Sequence, residues 1–201
     1  MNGQTMTFLG DSFVEGRGDP GPGGRYRGWV PRLAGQLGVR SALIRNLGTH
    51  GATTTAVIEH QLPRALTSGS PVVGVVVGVN DLISDYAAER FSDNLRQIFG
   101  DLSASGALVF TATYPDIPAR LPVPDRFKEL LRDRFTTANS TLVGVVAETG
   151  CHLIDLAGGT EWEQDEMWDS DGLHPSPLGH RSFAAAAAEL VFGASATTIA
   201  A

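Results

Sequence analysis

The run Met6-Thr7-Phe8-Leu9-Gly10-Asp11-Ser12 carries a serine hydroxyl to the end of an apolar segment. Such a hydroxyl is a poor nucleophile until a base takes its proton as it attacks. His174 is the candidate base, because neutral imidazole suits that task near neutral pH. Asp171 precedes it by three residues. Both side chains can therefore project from one short turn, where a carboxylate fixes the imidazole tautomer and stabilises the imidazolium. Attack on an ester carbonyl by such a serine produces an oxyanion, which requires preorganised hydrogen-bond donors. Taken singly, each piece also has an ordinary reading. Gly and Asp form turns, Ser caps helices, and Gly78-Val79-Asn80-Asp81 alone is a strand-ending turn followed by a helix cap.

The elements that must position these residues follow from hydrophobic periodicity. The segment before Gly10 reads as a buried strand that turns abruptly at Gly10-Asp11-Ser12. Residues 42–47 form a second strand that ends in the turn 48–51. Residues 71–78 are apolar on both faces, the pattern of a central parallel strand, and run straight into Asn80-Asp81. Residues 107–112 and 151–156 supply the fourth and fifth strands. Helical spacing links Trp29, Leu33 and Leu37 up to a C′ glycine at Gly38. A mixed helical pattern covers 53–66. Phe91, Leu95, Ile98 and Leu102 mark another helix, Phe127 through Val145 a long amphipathic one, and residues 177–191 close the chain. Strands alternating with helices, without hairpin signals, predict a single α/β domain over residues 1–201 with helices on both faces of a parallel sheet. In open sheets of this kind ligand chemistry sits just beyond the carboxyl ends of strands, where Ser12 falls. Two irregular stretches lie at that end. Residues 16–24, rich in Gly and Pro, read as a substrate-side loop with Arg25, Tyr26 and Arg27 near its rim. Residues 114–124, with four prolines, read as a lid or wall.

Gly10-Asp11-Ser12, Asn46-Leu47-Gly48-Thr49-His50-Gly51, Gly78-Val79-Asn80-Asp81 and Asp171-Gly172-Leu173-His174-Pro175 together resemble, in order, the four blocks of the SGNH (GDSL) hydrolase family. The resemblance runs from the first strand to the last helix. It implies a three-layer α/β/α flavodoxin-like sandwich whose five-stranded sheet has the order 2-1-3-4-5. It also implies an ester hydrolase working through an acyl-enzyme on Ser12, with Asp171 and His174 completing the triad. By the family pattern the oxyanion donors are the backbone N–H of Ser12, the backbone N–H of Gly51 rather than Gly48, and the Asn80 side chain. Asp11, beside the nucleophile, is expected at the substrate. The expected substrate is a small O-acyl compound, an acylated sugar or metabolite or a short- to medium-chain ester. Acyl transfer and thioester hydrolysis on the same site are the alternatives within the family. A non-catalytic small-molecule binding module is the alternative from another class.

Composition narrows the partners. A formal charge of −7, an apolar fraction of 42% and a charged fraction of 18% describe a globular chain with no affinity expected for nucleic acid or anionic membrane. Lys128 is the only lysine, a bias without a physical account. Cys151 is the only cysteine, so no intrachain disulfide forms; it reads as a buried thiol. With no basic, apolar leader at the N-terminus, a cytoplasmic location is expected. No cofactor is expected. His50, His60, His152 and His180 lack metal-ligand spacing, and His180 reads as a solvated helical residue. Asp11, Asp81 and Asp155 at strand ends lack a phosphate-cradling glycine loop. Glu161, Glu163, Asp165, Glu166 and Asp169 lack calcium-loop spacing, and read as a solvated acidic rim that disfavours anionic substrates.

Overall fold

The computed structural model describes residues 4–199, with side chains through residue 194. Strands β1 (Met6–Gly10), β2 (Ile44–Asn46), β3 (Val72–Val76), β4 (Leu108–Ala112) and β5 (His152–Ile154) form one parallel sheet in the order β2-β1-β3-β4-β5. This is the expected order. The crossovers are α2 (Trp29–Gln36) after β1, α3 (Thr54–Ala56) and α4 (Leu62–Ser68) after β2, α6 (Ala88–Ala104) after β3, and α7 (Asp125–Thr149) after β4. Short helices α1 (Ser12–Glu15) and α5 (Val79–Ile83) leave the ends of β1 and β3, and α8 (Pro177–Ile199) closes the chain. The β1-to-β2 connection moves across the sheet in the opposite direction to those that follow. Right-handed crossovers therefore place α2 on one face and α4, α6 and α7 on the other. Consistently, α2 packs against α8 and α6 against α7. Among the described residues no helix is long and apolar enough to cross a membrane.

The sheet centre explains how the Ser12 end of β1 is held. Phe8, Gly74 and Phe110 stand side by side in register on β1, β3 and β4. A Cβ on Gly74 would lie 2.7 Å from the Phe110 ring and 2.8 Å from that of Phe8, so the missing side chain makes room for both. Trp29 packs edge-on to these rings, at 5.1 Å from Phe8 and 6.2 Å from Phe110, and Phe183 of α8 lies 4.8 Å from Trp29. Phe13, next to Ser12, joins the cluster 4.8 Å from Phe183. Each edge-to-face pair adds about 0.5–1.5 kcal/mol beyond area burial. The cluster thus ties α1 to the core through its second residue.

Element boundaries depart from expectation where backbone groups find side-chain partners. The fifth strand stops at Ile154 because the N–H groups of Leu156 and Ala157 turn to Thr113 Oγ1, at 2.8 and 2.9 Å. The pattern over 53–66 is not one α-helix. Val57–Gln61 adopts π geometry, with Leu62 N–H bonded to the Val57 carbonyl. Pro63 has no N–H to give to the preceding turn and its ring crowds that turn, which accounts for the break.

Candidate active site

The turn after β1 is built by its residue types. Gly10 has φ +148°, and a Cβ there would lie 1.9 Å from the Val76 carbonyl oxygen of the neighbouring strand. Only glycine fits that combination. Asp11 caps α1, its Oδ1 accepting the Phe13 N–H at 2.9 Å. Ser12 is consequently the first residue of α1, buried at the end of the sheet. Its Oγ lies 2.8 Å from His174 Nε2, and His174 Nδ1 lies 2.6 Å from Asp171 Oδ2.

The imidazole is presented by a tight loop before α8. Asp169 N–H donates to the His174 carbonyl at 2.8 Å, and Ser176 N–H donates to that of Met167 at 2.8 Å. Asp171 Oδ1 accepts the backbone N–H groups of both Leu173 and His174 at 2.9 Å, which leaves Oδ2 for the ring. Partial burial pushes the Asp171 carboxyl up. The hydrogen bonds from the His174 backbone and ring and from Leu173 outweigh it and hold the group below its ordinary range. An ionised Asp171 beside Nδ1–H leaves the Nε2 lone pair facing Ser12.

Asn80 stands in the first turn of α5 and lines the same cavity as Ser12 and His174. Its Nδ2 donates to the Ala52 carbonyl at 2.9 Å, which orients the carboxamide and leaves its second N–H uncommitted. Asp81 is next in sequence. It is buried and accepts both the N–H and the hydroxyl of Thr54, at 2.9 and 2.6 Å, so it locks the residues after Gly51 to α5. Thr49 N–H reaches the Gly10 carbonyl at 3.1 Å, bringing the 48–51 turn against the end of β1. Within that turn the two glycines differ. Gly48 packs on α1, where a Cβ would sit 2.5 Å from Glu15 N, whereas Gly51 has φ +74° and open space around it. Gly51 itself does not line the cavity, although the His50 ring beside it is 6.4 Å from that of His174.

Asp11 lines the cavity too, but as a buried cap. Burial, opposed by the Phe13 N–H and reinforced by Asp81, raises its carboxyl to about 7. Burial likewise raises Asp81 against its bonds from Thr54. The two carboxyls share a low-dielectric corner that disfavours a second charge.

The cavity beside Ser12 is narrow, about 50 Å³, and mostly apolar: Val76, Val79, Ile117, Leu156, Trp162 and Trp168 line it with Tyr114. The 114–124 stretch is therefore a wall. Trp162 and Trp168 were hidden in the sequence by the acidic residues around them; in the structure they pack at 5.7 Å, and Arg120 lies over Trp168 at 5.4 Å. Arg120 also pairs with Asp165 and donates to the Glu163 carbonyl, so part of the acidic rim is neutralised. Among the described residues no group of three or more His, Cys, Asp or Glu forms a metal site.

Two expectations are corrected. His180 is not solvated: it is fully buried, stacks on Phe13 at 5.3 Å, and its Nε2 lies 2.7 Å from the Arg17 carbonyl. Burial pushes its pKa down to about 4, so it is a neutral ring donating through Nε2. Residues 16–24 do not line the cavity. Gly18 packs behind the loop that carries His174, where a Cβ would lie 2.0 Å from the Pro175 carbonyl, and Tyr26 is occupied by Arg17 stacked at 5.4 Å.

The sequence profile of the GDSL-like Lipase/Acylhydrolase family matches residues 8–182. Among solved structures, the lipase/acylhydrolase from Enterococcus faecalis superposes with a TM-score of 0.75 at 21% identity, over 94% of this chain and 96% of that one. A catalytic mutant of Axe2, an acetylxylan esterase from Geobacillus stearothermophilus, gives 0.74 at 18% identity over 94% of each chain. The psychrotrophic esterase EstA from Pseudoalteromonas sp., inhibited by monoethylphosphonate, gives 0.71 at 15% over 94% and 97%. At these identities the likeness is one of fold. No curated protein matches the sequence.

Proposed function

The chain belongs to the GDSL-like lipase/acylhydrolase family and is a carboxylic ester hydrolase, and from that premise we propose that Ser12, His174 and Asp171 cleave short-chain O-acyl esters through an acyl-enzyme. The observation that carries the reading is the unbroken relay from Ser12 Oγ to His174 Nε2 at 2.8 Å and from His174 Nδ1 to Asp171 Oδ2 at 2.6 Å. Ser12 Oγ attacks the ester carbonyl while its proton passes to Nε2. The carbonyl oxygen becomes an oxyanion facing the Ser12 N–H and the Asn80 carboxamide, both at the cavity, and the family pattern adds the Gly51 N–H from the neighbouring turn. Collapse expels the alcohol, which leaves with the proton from Nε2. A water then gives its proton to Nε2 and attacks the acyl-serine; Ser12 departs reprotonated, and the acid is released. Asp171 stays ionised throughout and holds the imidazolium.

The cavity supports a short acyl group. A space of about 50 Å³ beside Ser12 suits a short acyl group better than a long chain. The apolar walls suit an unsubstituted acyl chain, from acetyl to butyryl. A sugar suits the alcohol half, since the similar Axe2 is an acetylxylan esterase.

A panel of p-nitrophenyl esters from acetyl to dodecanoyl, run beside Ser12→Ala, tests both parts. The rate is expected to peak at the short end, and Ser12→Ala to lose on the order of 10⁶-fold in kcat, the scale seen when a nucleophile is removed from such a triad. A serine-directed phosphonate is expected to label Ser12. Labelling of another serine, or a mutant with full activity, refutes the assignment. A peak at long chains refutes the acyl range alone.

A further inference from the structure

The Gly10 peptide groups, one residue before the Asp11 cap, pose an accounting problem. A residue in a parallel strand offers its N–H and C=O to the same neighbouring strand. On the β2 side Phe8 is served: Leu47 N–H donates to its carbonyl at 2.8 Å. The β1–β2 register ends at the pair Phe8–Asn46; beyond it Thr49 N–H still reaches the Gly10 carbonyl at 3.1 Å, but no backbone group on that side accepts the Gly10 N–H. Buried backbone groups without partners are rare and costly.

Gln61 fills that place. Its Oε1 accepts the Gly10 N–H at 2.8 Å, and its Nε2 donates to the Gly10 carbonyl at 2.9 Å, both bonds buried. The carboxamide thereby supplies the acceptor that the chain after β2 lacks and adds a second donor to the carbonyl that Thr49 N–H already reaches. A carboxamide carries an acceptor and a donor spaced for both bonds and stays uncharged at every pH, which suits the low-dielectric corner shared by Asp11 and Asp81. Gln61 is itself buried and is the last residue of the π segment Val57–Gln61. One residue inserted into a helix turns everything after it by about a third of a revolution, and single π turns recur at functional sites. Here the insertion precedes Pro63, so the break that proline imposes coincides with the residue aimed at β1.

We propose that Gln61 is a positioning residue for the nucleophile: its two bonds fix the Gly10 peptide, and through it the direction of Ser12 Oγ and of the Ser12 N–H. The proposal rests on the assignment of Ser12 given above. Gly10 sits at φ +148° with no side chain to restrain it, and α1 is only four residues long. The turn therefore needs an external hold.

Two variants test it. Gln61→Leu keeps the bulk and removes both bonds. Gln61→Glu keeps the shape, and its carboxylic acid can make the same pair of bonds only while protonated. Each is assayed on p-nitrophenyl acetate after titrating active sites with a phosphonate and recording thermal melts. Gln61→Leu is expected to lower kcat per titrated site by roughly tenfold to a hundredfold, the scale of a nucleophile misplaced by about 1 Å, with KM little changed. The ratio of Gln61→Glu to wild-type kcat is expected to rise as pH falls from 8 to 5. Asp11 and Asp81 face the same corner, so Gln61→Leu, which adds no ionisable group, is run over the same pH range as the reference for their own titration. A purely structural role predicts fewer titratable sites and a lower melting temperature, with wild-type kcat per site and a flat ratio; that result overturns the proposal. Should Gln61→Leu fail to fold, the Gln61→Glu pH ratio decides alone. Phosphonate on a serine other than Ser12 in the wild-type protein overturns the nucleophile assignment and this proposal with it. Label on Ser12 with unaltered kcat overturns this proposal only.

Discussion

Replacing Asp11 with Asn removes the titration of a buried carboxyl while keeping the oxygen that accepts the Phe13 N–H. In the folded protein burial raises this carboxyl from 3.8 to about 7, with Asp81 adding to the rise. Between those values the folded chain holds a proton that the unfolded chain has lost. Stability therefore falls with increasing pH in this window. The gap of about three pH units, at about 1.4 kcal/mol each, amounts to about 4 kcal/mol of stability present below pH 3.8 and lost as pH rises through about 7. Asn has no proton to lose. The difference in unfolding free energy, Asp11→Asn minus wild type, should grow by about 3 kcal/mol between pH 5 and pH 8, the part of the window that this range covers. Urea titrations of both proteins at the two pH values measure it, and groups such as His180 that titrate in both cancel. A difference that stays constant within about 0.5 kcal/mol, the scatter expected for unrelated surface changes, would show that Asp11 is ionised in the folded protein and refute the burial argument.

His180 has the opposite sign: its pKa falls from 6.5 to about 4 on folding, so the unfolded chain binds the extra proton. About 3 kcal/mol of stability present above pH 6.5 should disappear as pH falls to about 4, and denaturant curves of His180→Phe should lack that slope. Asn80→Ala should lower kcat by roughly a hundredfold or more, on the order of 3 kcal/mol, with little change in KM, because the bond strengthens only as charge develops. Steady-state kinetics that show a raised KM alone would make Asn80 a structural turn residue.

Ser12, Asn80, Asp171 and His174 were legible in the sequence as candidates because Ser12 and Asn80 lie in short motifs just past strands and Asp171 and His174 share one turn before α8. The alternation of strand and helix, the apolar run of β3 and the turn at Gly10 are likewise local. They depend on side-chain volume and backbone freedom within a few residues. Gly51 could be chosen over Gly48 only through the family pattern. The structure separates them by a contact distant in sequence, Gly48 against Glu15.

What the sequence alone determined is the class of fold and the chemical type of the residues at its carboxyl end, since period, turn chemistry and motif spacing are properties of neighbours. Tertiary structure alone decided what those residues meet. His180 read as solvated because α8 is alanine-rich and a helical histidine carries no mark of its partner; its burial follows from Phe13 and Arg17, both more than 160 residues away in the chain. Asp11 and Asp81 read as turn formers, and their raised proton affinity comes from sharing one corner. Trp162 and Trp168 became cavity walls, and Gln61 a partner of the Gly10 peptide, only once the chain had closed on itself. Burial, and the electrostatics that burial brings, depend on contacts across the fold, which no local pattern encodes.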